Sequence, residues 1–528
     1  MTVQPILIDG QWRQADATST FRAENPATRE SLPDEYPVSA WNDCDSALEA
    51  ATAAFEVMRG IPGEDIARFL EEYASRIEAR RDELVEMANA ETALPVSPRL
   101  ADVELPRTTN QLRQAAAAAR EGSWAMPTID TATGIRSCYA PIGPVCVFGP
   151  NNFPLAFGSV SGGDFAAAIA AGNPVIAKAN SSHPGTTRIL AEEADAARQA
   201  TDMPPGTVQL IYRTSHPDGE RLVSDPRTGA TGYTGSRSAG LKLKTAADAA
   251  GRPIYLELSS VNPVVILPGA LRERSDEIAG EFTTSCLMGT GQFCTNPGLV
   301  VLLKGEETST FVKMLGDKFQ QAPVGTLLSK GVKTNLRANL DVLKEAGAKV
   351  IVGDTEGGGQ GYSHANTLLS VTGEEFLANA EALQTEAFGN TSLLVVADDV
   401  DQVCAAIGRL EGNLTGCVYS DTAGSDDEAY DQIAPHLRGR VGRLLNDKMP
   451  TGVAISPAMN HGGPYPATGH PGFTAVGIPA SLARFSMLEC YDNVRPHRLP
   501  ACLQDKNPNG TAWRYVDGRW TQDDVTSG

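Results

Sequence analysis

The chain has 528 residues, too many for one ordinary core, and its 41% apolar content is enough to fill two or three packed layers. Its 64 acidic residues against 44 basic ones give a formal charge of −20, which opposes binding to nucleic acid and attraction to anionic membranes. No apolar run reaches the roughly 20 residues of a spanning helix, and the opening MTVQPILIDGQWRQ lacks a basic region followed by an apolar core, so a cytoplasmic location is expected.

In chain order, residues 43–90 and 98–121 carry Ala, Leu, Glu and Arg at helical spacing and predict long amphipathic helices. From 142 onward the pattern changes to short β-branched runs separated by helices: IGPVCVFG, PVIAKA, TVQLIY, PIYLEL and NPVVIL. Strands alternating with helices imply a doubly wound parallel sheet. A second alternating region opens near 298 with GLVVLL and runs through AKVIVG, TSLLVVAD and GCVYS to GRLLND, predicting a second α/β domain. IRSCYAPIG at 135–143 and the segment 480–500 read as strands that belong to neither sheet, and free strand edges are usually paired or covered. TEGGGQG at 355–361 and the polar tail after about 503 read as loose.

Four segments carry candidate chemistry. GPNNFP at 149–154 puts two side-chain amides on a strand-to-helix turn; one aimed at a carbonyl oxygen stabilises an oxyanion, and the plain alternative is a cap on the following helix. GYTGSRSAG at 232–240 resembles a phosphate-facing helix start, with Gly235, Ser236 and Gly240, though it is not GxGxxG and a flexible turn with an N-cap explains it as well. YLELSSVNP at 255–263 ends an apolar strand with Glu257, a carboxylate placed for general-base work on water or for a structural ion pair. GTGQFCTNPG at 289–298 sets Cys294 among glycines, where backbone amides can approach a reacting atom; the other reading is a buried structural thiol. The nine cysteines show neither CxxC pairs nor His partners at zinc spacing, so reduced thiols and no metal site are expected.

Taken in order, GPNNFP, AKAN, GYTGSRSAG, YLELSSVNP, GQFCTNPG and EAFGN resemble the successive motifs of the aldehyde dehydrogenase superfamily, from IDGQW at 8–12 to HRLP at 497–500. The resemblance implies Cys294 as nucleophile, Asn152 as oxyanion amide, Glu257 as deacylation base, and Glu386 with Phe388 as holders of the nicotinamide ribose and ring. It implies an aldehyde oxidised to its acid through a thioester on Cys294, with NAD or NADP as cofactor. The implied architecture is two doubly wound α/β domains plus a small β oligomerisation element. In that architecture residues 1–125 and 143–259 form the Rossmann-like cofactor domain, 260–479 the catalytic domain, 126–142 and 480–500 the oligomerising strands, and 501–528 a tail. A homodimer or homotetramer follows, with a small aldehyde as partner, and no nucleic acid or membrane.

Three departures narrow the group. The superfamily's usual tryptophan before the catalytic asparagine is Asn151, its usual ELGGK is ELSSV, and the acidic residue that many NAD-specific members place after the cofactor lysine is Ser181. Together Lys178, Ser181 and Arg213 can meet a 2′-phosphate where a carboxylate would repel it, so NADP is expected ahead of NAD; alternatively Lys178 bonds only ribose hydroxyls. GRLLNDKMPTGVAISPAMNHGGPYPAT at 442–468 and RTTNQLR at 107–113 are similar to α-ketoglutarate semialdehyde (2,5-dioxopentanoate) dehydrogenases, and NADP-linked fatty aldehyde dehydrogenases share several of these features. A catalytically silent binding or structural relative is the reading from another class. By the same resemblance Arg107 and Arg113 border the substrate tunnel, roughly 120° apart around their helix so that one of them faces it. Phe153 and Phe157 supply apolar walls, and His461 stands where many relatives have an aromatic residue touching the substrate.

Overall fold

The β-branched runs, flanked by helices that cover both faces, form the centres of two seven-stranded sheets in a computed structural model that describes residues 3–508 and 510–525. In the first sheet the order is Ile254–Glu257, Ala230–Thr234, Val145–Phe148, Val175–Lys178, Val208–Ile211, Ile6–Ile8 and Gln11–Arg13. Its first five strands are parallel. The parallel part starts at Val145–Phe148, winds outward in one direction and then returns to add Ala230–Thr234 on the other side. Such a reversal leaves a crevice at the carboxyl ends of the strands, the usual ligand position in open α/β sheets. The two N-terminal strands add antiparallel, so the sheet is not wholly parallel as its alternating pattern implies.

The second sheet runs Lys349–Val352, Thr367–Thr372, Thr391–Ala397, Leu299–Leu303, Val264–Ile266, Asn413–Tyr419 and Val441–Asn446. Only its first pair is antiparallel. Ahead of both sheets, helices Trp41–Met58, Gly63–Ala79, Arg81–Thr92 and Leu105–Glu121 pack on the first sheet. Gly63–Ala79 buries Ile66, Phe69, Leu70, Tyr73, Ala74 and Ile77, the stripe its 3.6-residue spacing prescribes. A wide π-helical turn, Val96–Glu104, joins the last two helices.

A third sheet pairs Ser486–Asp492 antiparallel with Ile135–Pro141, which pairs in turn with Thr128–Ile129. Residues 504–508 and 510–525 are not the loose tail that their polarity suggests. Strands Arg514–Val516 and Arg519–Thr521 form a hairpin that extends this sheet from Thr128–Ile129. Arg514 is fully buried and donates to the carbonyls of Gln504, Asp505 and Asp523, which ties the segment around the hairpin to itself. Among the described residues no helix is long and apolar enough to cross a membrane.

Candidate active site

Three segments meet where the carboxyl ends of the first sheet face the amino ends of the second. Glu257 closes its strand and is buried. The loop before Leu299–Leu303 turns through Gly289, Thr290 and Gly291, all with positive φ, and delivers Cys294 half-buried. At Gly291 a Cβ would lie 2.0 Å from the Gly389 carbonyl oxygen, so this turn admits only glycine. The Cys294 carbonyl accepts from the Asn262 side-chain amide at 2.9 Å, which fixes this residue to the start of the neighbouring strand.

His461 lies between Glu257 and Cys294. Its Nε2 is 2.9 Å from Glu257 Oε1 and 3.5 Å from Cys294 Sγ, while the other Glu257 oxygen is buried without a partner. The backbone amide of His461 donates to Thr474 Oγ1 at 2.9 Å, and the Phe157 ring packs 5.8 Å from the imidazole. His461, expected beside the substrate, has a further placement that the sequence does not show: its ring bridges thiol and carboxylate. Burial pushes the Cys294 thiol well up from its ordinary range, the Glu257 and Glu386 charges add to this, and Arg107 opposes it. A thiol so placed needs a base within reach, and this contact supplies one.

Asn152 is buried and donates one amide hydrogen to the Gln292 carbonyl at 3.0 Å. That bond sets the amide plane and leaves the second N–H as a donor. The cap alternative for this asparagine fails, because the next helix starts only at Gly163. Two residues that sequence reading missed hold the segment in place. Glu104, at the end of the π-helical turn, accepts from the Leu155 and Ala156 amides at 2.8 and 3.0 Å and pairs with Arg99. Arg99 also donates to the Asn152 carbonyl at 2.9 Å and lies 4.2 Å over the Phe153 ring. Phe153 in turn meets Phe157 and Phe293 edge-on, each at 5.2 Å.

The two arginines of the helix Leu105–Glu121 separate as their spacing requires. Arg107 lies 5.4 Å over Phe157, donates through Nη1 to the Val453 carbonyl, and keeps buried Nε and Nη2 without partners. Arg113 is exposed and forms a two-pronged ion pair with Glu78 at 2.6 and 2.8 Å, so its assignment to substrate is corrected. No carboxylate pairs with Arg107 among the described residues. Arg443, which sequence reading also missed, donates to the Pro450 carbonyl at 3.0 Å and so fastens the loop that Arg107 holds through Val453.

Lys178 ends its strand with no hydrogen-bond acceptor or acidic partner among the described residues, and burial, with Arg213 nearby, lowers its ammonium to about 8. A desolvated cation without a counter-charge fits an anionic or hydroxyl-rich group, which is what a dinucleotide ribose and its phosphate present. Ser181 lies three residues further on and forms no side-chain bond among the described residues, and Arg213 is exposed, 5.7 Å over Phe21. Gly235 donates to the Glu257 carbonyl at 3.1 Å, and Ser236 opens the helix Arg237–Ala249 with no side-chain cap bond. Gly240 is pressed so closely on Leu258 that a Cβ would sit 2.5 Å from its Cδ2. Arg237 pairs with Glu411 at 2.7 Å, tying this helix to the second sheet's side. A cleft of about 720 Å³ lined by Arg237, Ser259, Ser260, Asn339, Glu386 and Glu411 opens between them. Burial pushes Glu386 up to about 7, and Phe388 lines an adjoining recess with Phe293. These groups fit a nicotinamide dinucleotide.

Residues 12–462 match the aldehyde dehydrogenase family. An alpha-ketoglutaric semialdehyde dehydrogenase 2 of Azospirillum brasilense is 39% identical over 514 residues, covering 95% of this chain and 97% of its own. An alpha-ketoglutaric semialdehyde dehydrogenase of Acinetobacter baylyi is 35% identical and covers 98% of both chains. Among solved structures, an aldehyde dehydrogenase C mutant of Pseudomonas syringae in complex with NAD+ and octanal superposes with a TM-score of 0.79 at 20% identity, over 94% of this chain and 98% of that one. The last likeness is one of fold.

Proposed function

The chain belongs to the aldehyde dehydrogenase family, and from that premise we propose that it oxidises α-ketoglutarate semialdehyde to 2-oxoglutarate, with NADP preferred over NAD. The observation that carries the substrate is Arg107. A half-buried guanidinium whose Nε and Nη2 lack partners, with no carboxylate paired with it among the described residues, stands within electrostatic reach of Cys294. A substrate carboxylate satisfies it in the two-pronged geometry that arginine favours. The two relatives' names point to the same substrate.

In this reading Cys294 Sγ attacks the aldehyde carbon and its proton moves to the His461–Glu257 pair. The developing oxyanion lies against the second Asn152 N–H, a contact worth roughly 3–4 kcal/mol in a water-poor site. A bound oxidised nicotinamide supplies the hydride-accepting chemistry. Lys178, Ser181, Gly235, Ser236, Gly240, Glu386 and Phe388 hold it, with Arg213 near the 2′-phosphate. Glu257 then takes a proton from the water that hydrolyses the thioester on Cys294. Phe153 and Phe157 wall the tunnel. A homodimer or homotetramer assembled through the third sheet completes the proposal, because Met487, Leu488, Trp513 and Trp520 stand exposed on or beside its strands.

Steady-state kinetics across short aldehydes, with and without a distal carboxylate, tests the substrate. Arg107→Ala raises KM for the oxo-acid aldehyde at least about tenfold more than for an uncharged aldehyde of equal length, while Arg113→Ala leaves the ratio unchanged. Preference of the native enzyme for a long-chain aldehyde refutes the assignment.

A further inference from the structure

We propose that Cys294 Sγ, His461 Nε2 and the Glu257 carboxylate form a three-ligand site for Zn²⁺, and that this ion holds the enzyme in a reversibly inhibited state. Among the described residues these form the one cluster of three such donors within metal-binding reach, all within 4.8 Å of one another. A tetrahedral zinc with ordinary bond lengths spaces sulfur from nitrogen by about 3.6 Å and nitrogen from oxygen by about 3.4 Å. The Sγ–Nε2 separation of 3.5 Å already meets the first value. The Nε2–Oε1 separation of 2.9 Å must open by roughly half an ångström, a small rotation of either side chain.

Donor chemistry chooses the ion. One thiolate, one imidazole and one carboxylate suit zinc, whereas magnesium and calcium take all-oxygen sets. Thiolate and carboxylate together balance the two positive charges, so the filled site buries no net charge. The partnerless Glu257 Oε2 is free to make a second contact or to accept from a bound water. The donors are also held in advance: Asn262 anchors the Cys294 carbonyl, and Thr474 with Phe157 fixes His461. Three protein ligands leave a fourth position for water.

Binding forms one Zn–S, one Zn–N and one Zn–O bond and releases the thiol proton to solvent, with no change of oxidation state. The sulfur lone pair is then committed to the metal, so the ion competes with aldehyde and not with dinucleotide. Nothing in this depends on which aldehyde is the substrate.

The test titrates Zn²⁺ alone into metal-stripped protein by calorimetry and uses Co²⁺ as a spectroscopic substitute. Expected are one ion per chain, a thiolate-to-cobalt charge-transfer band, inhibition competitive with aldehyde, and recovery of activity on adding a chelator. His461→Gln weakens Zn²⁺ at least about tenfold, and both Cys294→Ala and iodoacetamide-treated native protein lose the site. Dinucleotide binding by each variant reports that it has folded. Native-like Zn²⁺ affinity in alkylated protein, or a Co²⁺ complex without the charge-transfer band, overturns the proposal.

Discussion

In the proposed mechanism Glu257 has two partners, the imidazole it already touches and the water it deprotonates, and the two tasks separate kinetically. Glu257→Gln forms about one equivalent of reduced cofactor per site and then stalls, because oxidation precedes hydrolysis of the thioester. Cys294→Ala forms none yet binds dinucleotide as before, since the thiol does not hold it. Absorbance of the reduced cofactor distinguishes these outcomes, and steady turnover by the glutamine variant would remove Glu257 from the role. Lys178 sets a pH dependence of its own. Burial lowers it to about 8, so it is charged below that pH and neutral above. The charged form attracts a 2′-phosphate, and the NADP-over-NAD ratio of kcat/KM therefore falls as pH rises from 7 to 9. Lys178→Gln flattens the profile. A ratio independent of pH in the native enzyme contradicts a phosphate contact at this lysine.

Among the elements, the π-helical turn Val96–Glu104 is the support for the segment that carries Asn152. Glu104 has no exposed side-chain surface, and three groups depend on it: the Arg99 guanidinium and the amides of Leu155 and Ala156. Removing one member of a buried pair leaves the other charge uncompensated, at a cost of about 3–5 kcal/mol. Glu104→Ala is therefore expected to lose that much stability in urea unfolding and to lower kcat, as Asn152 shifts from its bond to Gln292. Replacing Arg99 and Glu104 together by methionine recovers part of the stability but not the rate, because the two amides still lack an acceptor. A loss below about 1 kcal/mol in the single variant would show the pair to be dispensable.

For the whole molecule the C-terminal hairpin is decisive. Arg514–Val516 pairs with Thr128–Ile129 and so covers one edge of the third sheet, and Leu503, Ile129 and Cys138 share a small core beneath it. Ending the chain after residue 503 uncovers that edge and deletes the exposed Trp513 and Trp520. Light scattering should then report a smaller assembly or aggregation through the open edge, with a lowered Tm. Unchanged mass and melting in the shortened chain would show that assembly does not use this hairpin.

What the sequence determined by itself is whatever depends on near neighbours: the β-branched strands, the amphipathic stripe of Gly63–Ala79, and the glycine turn that presents Cys294. Asn152 and Glu257 are legible for the same reason, since each sits just beyond or at the end of a strand in a short motif. Tertiary structure alone decided the partners. His461 is 167 residues from Cys294 and 204 from Glu257, and no local pattern separates a ring that lines a tunnel from one that bridges an acid and a thiol. Helical spacing sends Arg107 and Arg113 in different directions, but only the packed helices decide that Arg113 meets Glu78 while Arg107 keeps free N–H groups near Cys294. The C-terminal segment, polar and turn-rich, reads as loose because its order comes from a strand nearly 390 residues earlier, and backbone pairing across that distance leaves no periodic trace in either partner.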